Sequence, residues 1–493
     1  MVMYVIRGFY TLSLILFIIA PTLLLTISPV VAQDDIKQTI MLEKVRPAVV
    51  LVVTIPYGYV VWDEYSYLFE DVGLGSAVYV ETGMFGSGFF VSPDGYIITN
   101  GHVVNKFESD LQEKLPLLLD LVNRYAEAYA EKYGGYPSND QLTQMFYAAV
   151  DAYISNKLKI QDYGVDVYVC MGKTVTGLGN IKKCKPARIV EATPFEKEDL
   201  ALIKIEVSHA PSLKVSTRDN VNLGETVWVL GYPGAVTFHE LLSTSTQMIP
   251  TITKGMVSGY REKTTGITVL QSDVNVNHGN SGGPMIDSNG EVIAVTSFGS
   301  TDPTGSGREV PGFNFFIPSK YVRELMSRNN VDNTQDPIMS IYEEGLRLYY
   351  NKHYSAAIEK FQLVKNLNPG FPYVDDYIAN AQAAILRGED VPLESGFNLL
   401  IILAIIGVAI AGGGAITFIF LRKRRTRETR VSAPYQHPVQ PTPAPTPVQP
   451  QPIQQQPQQE PTTPTSFKYC WNCGRRIPGD ARICPYCGVE QED

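Results

Sequence analysis

The chain of 493 residues is poor in positive charge, cysteine and histidine. It has 41 Lys and Arg against 50 Asp and Glu, a formal net charge of −9, and this balance argues against wholesale nucleic-acid binding. Six cysteines and six histidines are present, so any disulfide, metal site or histidine-dependent catalysis depends on few residues. A chain of this length is too long for one compact domain, and we expect two to four domains.

Two long apolar runs predict contact with a membrane. Residues 1–32 hold one arginine before an apolar run that ends in small residues, which is typical of a signal peptide or, uncleaved, of an N-terminal anchor. Residues 397–421 carry no charge and are long enough to cross a hydrocarbon core of about 30 Å. A basic cluster follows directly and predicts that this end is cytoplasmic, near anionic lipid headgroups. The residues from Gln33 to about Ser395 are then expected outside the cytoplasm, with the transmembrane helix in the cell membrane.

The cysteines divide at the predicted transmembrane helix. Cys170 and Cys184 precede it, and either a disulfide across a hairpin or two free thiols in a strand pair would fit their spacing. The other four lie in residues 467–493 as two Cys-x2-Cys pairs: Cys470, Cys473, Cys484 and Cys487. Four thiolates at this spacing predict a closed, structural zinc site in a small zinc ribbon. A redox dithiol is disfavoured because no βαβ context surrounds these cysteines.

Residues 36–328 are predicted to form a domain of short β-strands. Several apolar runs are separated by turn signals such as Ser92-Pro93-Asp94-Gly95, which is typical of a barrel or sandwich. The period changes within residues 106–162, where apolar residues recur every three or four positions and predict two amphipathic helices inserted in the β domain. A lid, an oligomer contact and a membrane-proximal spacer remain open as roles for this insertion.

The stretch GNSGGP, Gly279–Pro284, places a serine between glycines. It is either a nucleophile turn or a hairpin tip, and a nucleophilic serine needs a base that a third group orients. His102 stands at a strand end before the serine, and Asp199 precedes an apolar strand, with Glu198 beside it. The order His, Asp, Ser is that of the chymotrypsin arrangement. We therefore predict Ser281 as nucleophile, His102 as base and Asp199 as the orienting acid.

Glycines beside the serine allow backbone N–H groups to converge on a developing oxyanion. The predicted donors are the N–H groups of Gly279, Asn280 and Ser281. Substrate side chains are expected beside the strand VIAVTSFG, whose small and apolar residues favour a modest apolar group at the cleavage site.

Several blocks together resemble the HtrA (Deg) family of trypsin-like serine proteases. They are GSGFFVSPDGYIITNGHVV, DLALIKI, GMVSG, GNSGGPMID and FNFFIPSKYV, within residues 40–328 apart from the helical insertion. The resemblance implies two six-stranded antiparallel β-barrels with the triad between them. It also implies ATP-independent cleavage of misfolded or exported polypeptides, in trimers, with no cofactor for catalysis.

The chain departs from the family in three places. His278 replaces the usual proline before the serine turn, and it could either perturb the oxyanion turn or face solvent. The helical insertion separates the histidine from the aspartate. No PDZ-like segment follows; residues 337–388 instead hold Gly345, Ala357, Phe361 and Pro369 at the spacing of one tetratricopeptide (TPR) repeat. One repeat must dock on something, and the protease, another subunit and a substrate are all open; it could serve as a stalk or a peptide groove.

The predicted architecture is therefore multidomain: a double β-barrel protease, a TPR-like segment, a transmembrane helix, a Pro/Gln-rich linker at 422–466 and a zinc ribbon. The predicted function is a membrane-anchored serine endopeptidase with an unidentified cytoplasmic partner for the ribbon. Two alternatives remain: a proteolytically silent binding chaperone or sensor that signals through the ribbon, and a transmembrane scaffold in which the ribbon is the main functional part.

Overall fold

The computed structural model describes most of the chain before residue 394. The described residues are 35–62, 69, 71–172, 184–239, 242, 246, 248–301 and 309–393, with the backbone of 467–469 and 476–478. The predicted signal or anchor (1–32), transmembrane helix (397–421) and linker (422–466) lie outside them. Among the helices that are described, none is both long and apolar enough to cross a membrane. The chain divides into two compact units, residues 1–396 and residues 397–493.

The first barrel contains the strands that precede and follow the helical insertion. Its strands are β1 (Val49–Trp62), β2 (Ala77–Glu81), β3 (Met84–Phe90), β4 (Tyr96–Thr99), β5 (Leu158–Cys170), β6 (Lys185–Ala192) and β7 (Ala201–Lys204). Six of them follow the order β1-β3-β4-β7-β6-β5, and β5 pairs back with β1 and closes the barrel. β2 pairs with the C-terminal part of β1, from Tyr57 to Val61. Cys170 and Cys184, at the facing ends of β5 and β6, are joined by a disulfide.

The second barrel is a closed ring of six strands in the order β10-β13-β12-β11-β8-β9. The strands are β8 (Thr226–Gly231), β9 (Thr251–Glu262), β10 (Thr268–Ser272), β11 (Pro284–Ile286), β12 (Val292–Thr301) and β13 (Glu309–Pro318), with a single turn, α4 (Gly234–Thr237), after β8. Apolar side chains such as Val49, Leu202, Leu230 and Val295 form one core that both barrels share. The predicted pair of six-stranded antiparallel barrels is confirmed.

The helical insertion is an antiparallel pair on the side of the first barrel. It consists of α2 (Asp110–Tyr133) and α3 (Asn139–Ile154). Gly134 ends α2 in a left-handed conformation, and Ser138 and Gln141 form a capping box that starts α3. The buried face of α2 packs on the first barrel. Leu117 and Leu121 of α2 share a core with Trp62, the last residue of β1. β5 begins at Leu158, so the predicted insertion was too long at its end.

The helices after the barrels pack on the protease rather than stand apart from it. They are α5 (Ser319–Arg328), α6 (Pro337–Tyr350), α7 (Tyr354–Leu367) and α8 (Val374–Leu386). An N-terminal helix, α1 (35–45), inserts Ile40 into the core of α6, α7 and α8 and then leads into β1. Lys44 pairs with Glu343 at 2.6 Å. The sequence left the protease, another subunit and a substrate open as docking partners for α6, α7 and α8, which together form the helical segment. In the structure, the helical segment docks on the protease.

In the second unit, the described backbone is a two-stranded antiparallel sheet. β14 (Phe467–Tyr469) pairs with β15 (Arg476–Pro478), with Tyr469 opposite Arg476. In the sequence, the first predicted Cys-x2-Cys pair falls between these two strands. All four predicted zinc ligands lie outside the described residues.

Candidate active site

The predicted histidine and aspartate are in direct contact. His102 begins the short 3-10 turn His102–Val104 after β4, and its Nδ1 lies 3.0 Å from each carboxylate oxygen of Asp199. The backbone N–H of His102 also donates to Asp199 Oδ1, at 3.1 Å. With a carboxylate facing Nδ1, the ring proton is favoured on that nitrogen, and Nε2 is left as the basic atom. This is the tautomer that a general base requires.

Asp199 is fully buried, and two other side chains hold it in place. The Ser297 hydroxyl donates to Oδ2 at 2.5 Å, and Asn100 Nδ2 donates to the Asp199 carbonyl at 2.8 Å. The backbone of Asp199 has φ +53°, a left-handed conformation that costs a non-glycine residue roughly 1 kcal/mol or more. The hydrogen bonds compensate the buried charge and fix this conformation. Among the described hydrogen bonds of His102, none goes to the neighbouring Glu198.

The turn that carries Ser281 requires glycine on both sides. Gly279 has φ +98°, and a Cβ there would stand 2.4 Å from the Tyr232 carbonyl oxygen. Gly282 has φ +86°, and a Cβ would stand 2.1 Å from the Ser87 carbonyl oxygen. The first barrel thus touches the turn directly, and the Ser87 N–H donates to the Ser281 carbonyl at 2.7 Å. These contacts place the serine at the interface of the two barrels.

The three predicted oxyanion donors are not equivalent. The Asn280 N–H donates to the Asn277 carbonyl at 3.0 Å, so it is occupied. In the described structure, the N–H groups of Gly279 and Ser281 donate to no protein acceptor. The His278 carbonyl accepts from the Gly234 N–H at 2.8 Å, which turns the N–H of the same trans peptide, that of Gly279, in the opposite direction. Two donors, rather than the predicted three, are therefore available for an oxyanion.

The Ser281 hydroxyl donates to the Ser297 carbonyl at 3.2 Å. The described hydrogen bonds of this hydroxyl include none to His102. Ser281 and His102 nevertheless line one cavity.

A cavity of about 260 Å³ opens beside the serine. Its walls include His278 and the β12 residues Thr296, Ser297, Phe298 and Gly299. The predicted strand VIAVTSFG therefore does border the serine. None of the described lining residues comes from α2 or α3, so in this arrangement the helical insertion does not cover the cavity. The His278 side chain is exposed.

Lys263 connects the second barrel to the loop that carries the aspartate. Its ammonium group donates to the carbonyls of Phe195 and Lys197 at 2.8 and 2.9 Å. It also lies 5.2 Å from the ring centroid of Phe195, and the centroids of the Phe195 and His102 rings are 5.6 Å apart in an edge-to-face arrangement. Burial lowers the pKa of Lys263, and the negative charge of Asp199 partly opposes this effect. Lys263 therefore fixes the backbone just before Asp199.

Sequence reasoning missed Ser297, Ser87, Asn100 and Lys263. Ser297 and Ser87 do stand inside stretches that carry the family resemblance or the predicted cavity strand, but the spacing alone did not assign them a role. Asn100 lies two residues before His102 and was the easiest of the four to find. Lys263 follows β9 in an ordinary hairpin, and nothing in the local pattern distinguishes it.

Comparison with known families gives two matches. A model described as a trypsin-like peptidase domain matches residues 158–295, which include Asp199 and Ser281 but not His102. A zinc-ribbon domain model matches residues 469–488, which include all four predicted zinc ligands.

Individual proteins give a consistent result. "Serine protease HTRA4" of Mus musculus is 30% identical over 213 residues, which cover 40% of this chain and 38% of the relative. "Serine protease Do-like HtrA" of Lactococcus lactis subsp. cremoris is 31% identical over 140 residues, which cover 28% of this chain and 34% of the relative. A solved structure, "HtrA-type protease AlgW with decapeptide", covers 59% of this chain and 66% of its own, at 19% identity and a TM-score of 0.34. The chain thus spans less than two fifths of the length of these two curated relatives.

The double barrel, the buried aspartate with its histidine and the serine on a glycine turn define a trypsin-like domain of the serine endopeptidase class. Within that class, the chain is similar to HtrA-type proteases.

Proposed function

We propose that the protein is a serine endopeptidase that uses Ser281, His102 and Asp199. The observation that carries the proposal is the pair of 3.0 Å contacts between His102 Nδ1 and the buried Asp199 carboxylate, beside a cavity that Ser281 also lines. A serine hydroxyl becomes an effective nucleophile only when such a base accepts its proton.

In the proposed reaction, the Ser281 hydroxyl leaves the Ser297 carbonyl and rotates towards His102 Nε2. Oγ then attacks the scissile carbonyl while Nε2 takes the proton, and Asp199 stabilises the imidazolium. The N–H groups of Gly279 and Ser281 bind the oxyanion. His102 returns the proton to the leaving amine, and water hydrolyses the acyl-enzyme by the same steps in reverse roles.

The proposed substrates are extended or unfolded polypeptides, including misfolded or exported proteins, as the similarity to HtrA-type proteases suggests. The cavity beside β12 has polar atoms from Ser297 and Thr296 and an aromatic wall from Phe298. A volume of about 260 Å³ suits a small or medium apolar side chain at the cleavage site.

A binding chaperone or sensor without turnover is the second candidate, and one observation favours it: the Ser281 hydroxyl is bonded to Ser297 rather than to His102. The two functions are separated by treating the full-length chain and its Ser281→Ala variant with a fluorophosphonate probe and an unfolded protein. Labelling and cleavage by the parent alone would support the endopeptidase. A folded parent that is neither labelled nor active would sink it, and preserved binding of the unfolded protein would then support the chaperone.

We further propose that the protein is anchored in the cell membrane by residues 397–421, with the barrels outside the cytoplasm and the zinc ribbon inside. The support is the charge-free run and the basic cluster that follows it. A reporter phosphatase that is active only outside the cytoplasm should work when fused after residue 393 and fail when fused after residue 466. The reverse result would contradict the orientation.

We also propose that Cys470, Cys473, Cys484 and Cys487 hold one structural zinc ion. The described strand pair supports this proposal, because the first Cys-x2-Cys pair falls between β14 and β15 in the sequence. Zinc would supply cross-linking and no catalysis. The full-length chain should bind one equivalent of zinc, Cys484→Ser should lose it, and Ser281→Ala should retain it. Unchanged zinc content in Cys484→Ser would contradict the assignment.

A further inference from the structure

Tyr373 is an unusual residue at the junction of the helical segment and the protease. It directly precedes α8, is 8% exposed and has φ +68°. A left-handed conformation is costly for a bulky residue and persists only where the surroundings hold it, so it often marks a functional constraint. The ring packs in the core of α6, α7 and α8, and Arg46 lies over it with its guanidinium carbon 4.2 Å from the ring centroid. Arg46 also pairs with Glu43 at 2.5 Å.

Arg46 stands at the start of the first barrel. It opens the short 3-10 turn Arg46–Ala48 that joins α1 to β1, and the Val49 N–H donates back to the Arg46 carbonyl. The Val49 carbonyl in turn accepts the Tyr232 hydroxyl at 3.3 Å. Tyr232 is fully buried and packs in the same core cluster as Ala48 and Val49. A chain of contacts therefore leads from Tyr373 through Arg46 and Val49 to Tyr232.

Tyr232 leads directly to the turn that presents the oxyanion donors. Its N–H donates to Ser87 Oγ at 2.8 Å, and Ser87 Oγ donates to the Gly279 carbonyl at 2.6 Å. Two residues after Tyr232, the Gly234 N–H holds the His278 carbonyl at 2.8 Å. The segment 232–234 thus fixes the peptide planes on both sides of Gly279, and with them the direction of its free N–H.

We propose that the docked helical segment positions the oxyanion turn: Tyr373, through Arg46 and Tyr232, holds the Gly279 N–H in its binding direction. Tyr373 and Arg46 are positioning residues, since neither lines the cavity beside Ser281. The helical segment is then an activating part of the enzyme, and anything that draws α8 away from Arg46 lowers turnover. This inference rests on the proposed endopeptidase function.

The test uses the full-length chain and its Tyr373→Leu variant, which removes the ring from Arg46. Tyr354→Leu is the matched control, because Tyr354 is a buried tyrosine of the same segment that packs in another cluster. Turnover of a peptide substrate is divided by the number of sites that a fluorophosphonate titrates. Affinity is then measured for a peptide trifluoromethyl ketone, whose adduct carries an oxyanion, and for the product peptide, which forms none.

For Tyr373→Leu we expect kcat per titrated site to fall about tenfold, because lost positioning of one hydrogen-bond donor is worth that order of effect. The ketone should bind weaker by the same factor, while KM and product affinity stay within about twofold of the parent. Tyr354→Leu should leave all four quantities unchanged. Tyr232→Phe keeps the ring and removes the hydrogen bond to Val49, and it should also lower both kcat and ketone affinity. This variant provides the test if Tyr373→Leu fails to fold.

An active parent with unchanged kcat and ketone affinity in the folded tyrosine variants would overturn this inference alone. A decrease only in the number of titratable sites, or an equal loss in Tyr354→Leu, would also overturn it, because either outcome reports stability rather than positioning. A parent chain that neither cleaves nor labels would overturn the endopeptidase function and this inference with it.

Discussion

The Ser297 hydroxyl donates a 2.5 Å hydrogen bond to Asp199 Oδ2, and the Ser297 carbonyl accepts the hydroxyl of Ser281 at 3.2 Å. One residue of β12 therefore contacts both the proposed acid and the proposed nucleophile. Its side chain orders the aspartate, and its backbone carbonyl accepts the hydrogen bond of the serine hydroxyl.

Replacement of Ser297 by alanine should test the first of these contacts. The backbone carbonyl remains, but the buried carboxylate loses a charge-assisted hydrogen bond, which is worth about 1.5–3 kcal/mol. We expect kcat/KM to fall about 10- to 100-fold. Ser300→Ala, in the half-buried outer part of the same strand, should leave peptide cleavage near the parent rate. Equal rates in the parent and Ser297→Ala would show that the hydrogen bond does not matter for catalysis.

Asparagine at position 199 should separate the catalytic acid from its neighbour. Asp199→Asn keeps the shape but presents an amide to His102 Nδ1, which favours the wrong imidazole tautomer, and kcat should fall on the order of 10⁴-fold. Glu198→Gln is the matched control, since Glu198 makes no described hydrogen bond to the histidine. Steady-state cleavage of a peptide measures both. A large loss in Glu198→Gln with little loss in Asp199→Asn would reassign the acid.

Alkaline unfolding should report on Tyr163, which lies between the helical insertion and the first barrel. Burial raises the pKa of Tyr163 to about 12, and the negative charge of Glu113 adds to the effect. In the unfolded chain, tyrosine has a pKa of about 10. Between these values the unfolded chain loses the proton first, so the free energy of unfolding falls as pH rises from about 10 to about 12.

Tyr163→Phe removes the contribution of Tyr163 to this dependence, while the other buried tyrosines keep theirs. Measured by urea unfolding at several pH values, the parent should lose stability relative to Tyr163→Phe across that interval. The exposed Tyr136 provides the control, because Tyr136→Phe should follow the parent. A constant stability difference between the parent and Tyr163→Phe from pH 9 to 12 would contradict the assigned pKa.

The disulfide between Cys170 and Cys184 should contribute measurably to stability. It closes a loop of 14 residues, for which chain entropy predicts about 3 kcal/mol. A reductant should lower the unfolding temperature of the parent barrels and leave that of the Cys170→Ser/Cys184→Ser variant unchanged. If the parent were insensitive to a reductant that demonstrably frees both thiols, the disulfide would contribute no stability.

The insertion and the helical segment illustrate how far local pattern reaches. Three- and four-residue periodicity identified the insertion as helical, and the spacing of one tetratricopeptide repeat identified the helical segment, because both patterns are properties of a short window. The same patterns left their roles open, since they do not say which surface covers the apolar face. In the structure, Leu117 packs against the first barrel, and Tyr373 packs on Arg46, which is far away in the sequence.

The sequence by itself determined the order His102, Asp199, Ser281, the glycines of the serine turn and the alternation of short strands, because these depend on residue type and near neighbours. Only the tertiary structure decided that the Asn280 N–H donates to the Asn277 carbonyl. It also decided that Ser297 contacts both Asp199 and Ser281, and that Ser87 hydrogen-bonds to both Tyr232 and Gly279. Each of these depends on where distant strands meet once two barrels close. Closure is set by the burial of a shared core, and such long-range packing leaves no signature in any single stretch of the chain.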